Sequence, residues 1–137
     1  MIYLDTSATV KLVAAEEDSA ALINWLNDHP DENLATSAVG HIELIRAAAR
    51  TGPDAVALAR NVASTIDTLV LTDTIAAAAA TTIPPAELRT LDAIHLATAH
   101  THRQSLTALC AYDRRLLEAA ESQGLPTVSP RGDADAG

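Results

Sequence analysis

Short apolar runs alternate along this chain with longer stretches whose apolar residues recur at helical spacing. Residues 2–4, 33–36, 68–71, 106–111 and 126–128 are the strand candidates. The segments at 68–71 and 106–111 read as strands of the buried type, and 33–36 is the weakest of the five. Thr6 or Ser7 can cap a first helix that uses Val10, Leu12 and Val13 and runs to about Ala15. A second helix follows the acidic cluster Glu16-Glu17-Asp18, repeats its apolar residues at Ala21, Leu22, Trp25 and Leu26, and ends at His29-Pro30. Ser37 caps a third, carrying Val39, Ile42, Ile45 and Ala49, and Pro53 suits the first turn of a fourth through Val56, Ala59 and Val62. Thr72 or Asp73 caps an alanine-rich helix that Pro84-Pro85 stops. Thr90 caps the next helix, to about His102, and a last one with Leu116, Leu117 and Ala120 closes at Gly124.

Strands alternating with helices predict an α/β domain: a mostly parallel sheet of about five short strands, flanked by helices in three layers. No repeat and no internal linker divides the chain, so residues 1–129 are expected to form one domain and 130–137 a flexible tail. The tail holds Arg131-Gly132-Asp133, an adhesion-type tripeptide taken as chance.

Composition narrows the function. The core must be built from Ala, Leu, Val and Ile, since the only aromatics are Tyr3, Trp25 and Tyr112. That counts against a base-stacking sheet. A net charge of −9 counts against a broad basic nucleic-acid face. The lone Cys110 excludes an intramolecular disulfide and a multi-cysteine zinc site. No secretory signal and no membrane-length apolar run is found, so the expected compartment is the cytoplasm.

The acidic excess is informative by position. Asp5 and Asp113 each follow an apolar strand and precede a helix, which is where open α/β sheets bind ligands. They converge if their strands are neighbours. Asp92 falls in a first helical turn and shares a mainly apolar face with His95, Leu96 and Ala99, where a carboxylate needs a partner. Glu43 lies near the start of the third helix, with Arg46 and Arg50 three and seven residues on; a surface Glu–Arg pair is the plain alternative. Four carboxylates around one pocket repel unless cations neutralise them, and hard oxygen donors suit Mg2+ or Mn2+. Such ions can clamp a phosphodiester and activate water for hydrolysis without a covalent enzyme intermediate.

The motifs Leu4-Asp5-Thr6-Ser7, Glu43 in a helix, Leu91-Asp92-Ala93-Ile94-His95-Leu96-Ala97-Thr98-Ala99 and Tyr112-Asp113-Arg114-Arg115-Leu116, in this order, resemble the PIN-domain ribonucleases. The likeness is nearest to the VapC toxins of VapBC toxin–antitoxin pairs and covers almost the whole chain. It implies an endoribonuclease in which Asp5, Asp92 and Asp113 bind metal directly or through water. Glu43 would help position or deprotonate the attacking water, and Thr6 would hydrogen-bond a carboxylate. It further implies an RNA substrate, a homodimer and a VapB-type antitoxin, and no membrane.

Other residues are read more plainly. His95 is expected to be a hydrogen-bonded structural histidine. His41, His100 and His102 make no zinc spacing. Asp73 is a helix cap, and Arg46, Arg50, Arg114 and Arg115 are solvated or meet RNA phosphates. Two rivals stand beside the nuclease: a catalytically silent PIN fold used for binding, and a receiver or aspartyl-phosphatase domain. The second wants another acid beside Asp5 and a late lysine, where this chain has Ser7 and only Lys11.

Overall fold

The computed structural model describes residues 1–81 and 88–132. The helix stop expected at Pro84-Pro85 lies outside them. Five strands form one parallel sheet: β1 (Ile2–Leu4), β2 (Leu34–Ser37), β3 (Asp67–Leu69), β4 (Ala108–Cys110) and β5 (Thr127–Val128). Their order is β3-β2-β1-β4-β5. The chain thus builds outward from β1 in one direction, then returns to its other side. Seven α-helices accompany the sheet among the described residues: α1 (Thr6–Lys11), α2 (Ser19–Asn27), α3 (Ala38–Ala49), α4 (Pro53–Ala63), α5 (Asp73–Thr81), α6 (Thr90–Thr101) and α7 (Arg114–Ser122).

Strand alternation sorts the core into layers. Tyr3 and Leu109 point to one face, against Ile75 of α5, Leu96 and Ala99 of α6 and Leu116 of α7. Ile2, Leu4 and Cys110 point to the other, against Ala8 of α1 and Leu22 of α2. A third cluster packs Leu44 and Ala48 of α3 on Ala59 of α4, with Val10 of α1 beside them. Both faces of β1 are therefore covered, which explains a run with no polar residue. Gly40 of α3 leaves room for Thr36 Oγ1 of β2: a Cβ there would overlap that oxygen and stand 3.1 Å from His95 Cε1.

Several local expectations are modified. The 68–71 run is an edge strand, not a buried one: among the described residues β3 pairs only with β2, Thr68 is exposed, and Val70 and Leu71 beyond it are 65% and 44% exposed. Helix α6 begins with Thr90 already inside it and Arg89 at the cap position, without a side-chain capping bond. Thr72 rather than Asp73 caps α5, its Oγ1 accepting from Ile75 N at 3.1 Å. Asp18 precedes α2 in a left-handed conformation (φ 69°) and makes no cap. Its carboxylate instead accepts from Gly132 N at 2.7 Å and pairs with Arg131 at 3.4 Å. Ser129 bonds the Ala111 carbonyl and Tyr112 Oη donates to the Pro130 carbonyl at 2.6 Å, so residues 129–132 are fastened to the domain.

Candidate active site

Strands β1 and β4 are hydrogen-bonded neighbours with Leu4 opposite Cys110. Strand order reverses between them, and at that point both carboxyl ends open on the same side. Asp5 follows β1 directly and caps α1, its Oδ1 accepting from Ala8 N at 3.0 Å. Asp113 follows β4 by three residues and caps α7, its Oδ1 accepting from Arg115 N at 2.8 Å and Leu116 N at 3.3 Å. Helix capping and strand topology thus place these two acids at one sheet edge. Asp92 joins from the first turn of α6, and Glu43 from α3, which begins at the end of β2.

The acids feel one another. Burial pushes the Asp5 carboxyl up to about 6, Ser7, His95 and the Ala8 amide oppose the shift, and Asp92 adds to it. Asp92 is raised first by partial burial, then by repulsion from Asp113 and Glu43. Glu43 behaves differently: burial raises it, but hydrogen bonds from His95 and Thr6 outweigh that and hold it below its ordinary range. The difference has a geometric cause. Glu43 Oε1 accepts from Thr6 Oγ1 at 2.6 Å and from His95 Nε2 at 2.8 Å. Among the described residues no hydrogen bond reaches Oε2.

Among the described residues no three His, Cys, Asp or Glu side chains stand close enough to enclose a metal ion by themselves. The donor set nevertheless suits a hard cation. Mg2+ is commonly held by one or two carboxylates, with water and substrate phosphate completing its shell, rather than by an all-protein cage. Burial is the main cause of the upward shifts of Asp5 and Asp92, and neighbouring acids add to it, so a cation at this edge would offset part of the cost of ionising them.

Two participants were not legible as site residues. Ser7 Oγ donates to both Asp5 oxygens, at 2.7 and 2.9 Å, and accepts from Tyr112 N at 2.9 Å. It therefore ties the first acid to the loop that carries the fourth. Its signal was a hydroxyl two residues after an acid, which also suits a simple cap. Tyr3, read as core, places its hydroxyl 2.6 Å from His95 Nδ1. His95 is buried, as a structural histidine should be, but its other nitrogen is on Glu43. Beside the acids, a cleft of about 430 Å³ is lined by Thr6 and Glu43, by Ile42 and Arg46 of α3, by Arg50 just past its end, and by Leu91.

The family model described as PIN domain matches residues 2–122. Among curated proteins, the chain is 43% identical to Ribonuclease VapC35 of Mycobacterium tuberculosis, covering 95% of this chain and 97% of the relative. It is 44% identical to Ribonuclease VapC47 of the same organism, with the same coverages. Solved structures of similar shape include a toxin–antitoxin complex from Klebsiella pneumoniae (TM-score 0.74, 21% identity, 95% of this chain and 98% of that one). Another is VapC20 of M. tuberculosis, described as a sarcin–ricin loop cleaving toxin (TM-score 0.74, 17% identity, 95% and 100%). At these identities the structural likenesses speak for the fold.

Proposed function

Because this chain belongs to the PIN-domain family, we propose that it is a metal-dependent endoribonuclease and the toxin of a type II toxin–antitoxin pair. The observation that carries this reading is that Asp5 and Asp113 stand at the carboxyl ends of neighbouring strands at the switch point of the sheet, with Asp92 near enough to add to the upward push on Asp5, and Asp113 and Glu43 near enough to add to that on Asp92. Near-complete coverage of relatives named ribonucleases supports the same activity.

In this reading Asp5, Asp92 and Asp113 hold Mg2+ or Mn2+, directly or through water. When bound, the ion supplies Lewis-acid polarisation of the phosphodiester and activates water. The chain's own contributions are separable. The three aspartates offer hard oxygens on rigid supports, two of them fixed by helix caps. Glu43, kept ionised by Thr6 and His95, takes a proton from the attacking water. Ser7 keeps Asp5 aligned with the β4 end. The functional unit is taken as residues 1–129. The proposed setting is a cytoplasmic homodimer inhibited by a VapB-type antitoxin. A chain of net charge −9 would attract a basic inhibitory segment.

The test is cleavage of total cellular RNA by the purified protein with Mg2+ or Mn2+, with and without chelator. Cutting that needs metal and disappears in Asp5→Ala is expected. Intact RNA with both ions, from protein that is folded by circular dichroism, would overturn the proposal.

A further inference from the structure

Tyr3, His95, Glu43 and Thr6 form one connected chain of hydrogen bonds that starts in the core and ends at the site. Tyr3 Oη is 2.6 Å from His95 Nδ1. His95 Nε2 is 2.8 Å from Glu43 Oε1, and Thr6 Oγ1 reaches the same oxygen. Tyr3 and His95 are 0% and 1% exposed, and their rings meet edge to face with centroids 5.8 Å apart. Neither side chain has room to turn. Gly40 lies beside the imidazole, and a Cβ on it would stand 3.1 Å from His95 Cε1.

We propose that His95 is a positioning residue: the Tyr3 hydroxyl locks it in the Nε2–H tautomer, and it fixes Glu43 through Oε1 so that Oε2 is the oxygen presented to the attacking water. The inference rests on the reading of Glu43 as the group that takes the water's proton. An ionised carboxylate only accepts, so the nitrogen facing it must carry hydrogen. With its one hydrogen on Nε2, a neutral ring can only accept at Nδ1, so the Tyr3 hydroxyl 2.6 Å away is the donor there. Only one tautomer of a neutral ring satisfies both neighbours. Two donors on Oε1 remove the carboxylate's freedom to rotate and leave Oε2 open. The arrangement parallels the general logic in which a third group orients a histidine, except that here the histidine orients the base. Thr6 alone would hold Oε1 from one direction only and let it swing about that bond.

The tautomer is read directly from long-range 1H–15N correlation spectra of the wild-type protein at neutral pH. His95 is expected to carry its proton on Nε2, and Tyr3→Phe is expected to move the Nδ1 resonance, because that nitrogen loses its donor. An Nδ1–H or doubly protonated ring in wild type overturns the proposal, whatever the RNA assay gives. In the cleavage assay His95→Leu is expected to lower kcat about a hundredfold with KM for RNA changed by less than about twofold. Tyr3→Phe is expected to lower kcat about tenfold. His95→Gln, which keeps an N–H donor, is expected to recover at least about tenfold over His95→Leu. Full kcat in folded Tyr3→Phe and His95→Leu overturns the positioning role and leaves the nuclease reading standing. Inactive wild-type protein with the expected tautomer sinks the nuclease reading instead.

Discussion

Replacing Asp5 by Asn should make the metal-free protein more stable at neutral pH. Asp5 is 3% exposed, and its carboxyl lies at about 6 in the folded chain against 3.8 ordinarily. Between those values the folded state binds a proton that the unfolded state has released, so stability falls as pH rises through the window. Above pH 6 the whole penalty is present. At about 1.36 kcal/mol per pH unit it is on the order of 3 kcal/mol. Asn keeps the capping bond to Ala8 N, since Asn and Asp cap almost equally well. The expected gain is therefore as much as about 3 kcal/mol at neutral pH, vanishing below about pH 4. Urea denaturation with chelator, run at several pH values on both proteins, measures it. Mg2+ should then stabilise wild type more than Asp5→Asn, because the cation relieves the charge that Asn lacks. A variant no more stable than wild type at neutral pH, or one with the same gain in acid, would refute the electrostatic reasoning.

Three further outcomes are expected. Asp113→Ser keeps a side-chain cap on α7 while Asp113→Ala loses it at a cost of about 1 kcal/mol; both should abolish cleavage, and an active Asp113→Ser would reduce Asp113 to a cap. Gly40→Ala forces a Cβ onto Thr36 Oγ1 and toward His95, and should cost roughly 1–3 kcal/mol by urea denaturation while shifting the His95 ring resonances. Cys110 is fully buried and burial, with Asp5 nearby, pushes its thiol up to about 12, so a disulfide reagent at mildly alkaline pH should label it only after denaturation; labelling at the unfolded rate in native protein would contradict that.

The sheet was legible where burial left a clean mark. Ile2, Tyr3 and Leu4 are apolar because both faces of β1 are covered, and that run predicts a central strand. Thr68 to Leu71 carries the same mark for another reason: its apolar residues lie at an exposed edge. Composition does not distinguish an edge from a centre; neighbours do. The positions of Asp5 and Asp113 beyond strand ends and of Asp92 in a first turn were legible because such positions have sequence signatures. Their supports were not. Tyr3 and His95 are 92 residues apart, and their bond exists only because α6 packs on the face of β1 to which Tyr3 points. The attachment of residues 130–132 to Asp18 and Tyr112 was hidden for the same reason, behind a polar stretch that reads as a tail.

The place of β1 also bears on when the site comes into being. This strand is translated first, yet its two neighbours are β2 and β4, and Leu4 pairs with Cys110. Half of its ladder cannot form until most of the chain has left the ribosome. Contacts so distant in sequence are slow to close. A nascent or truncated chain can dock β2 beside β1 early, but it cannot bring Asp113 to Asp5. The order of assembly therefore leaves the site incomplete until synthesis is nearly finished, so no partial chain presents the full set of acids.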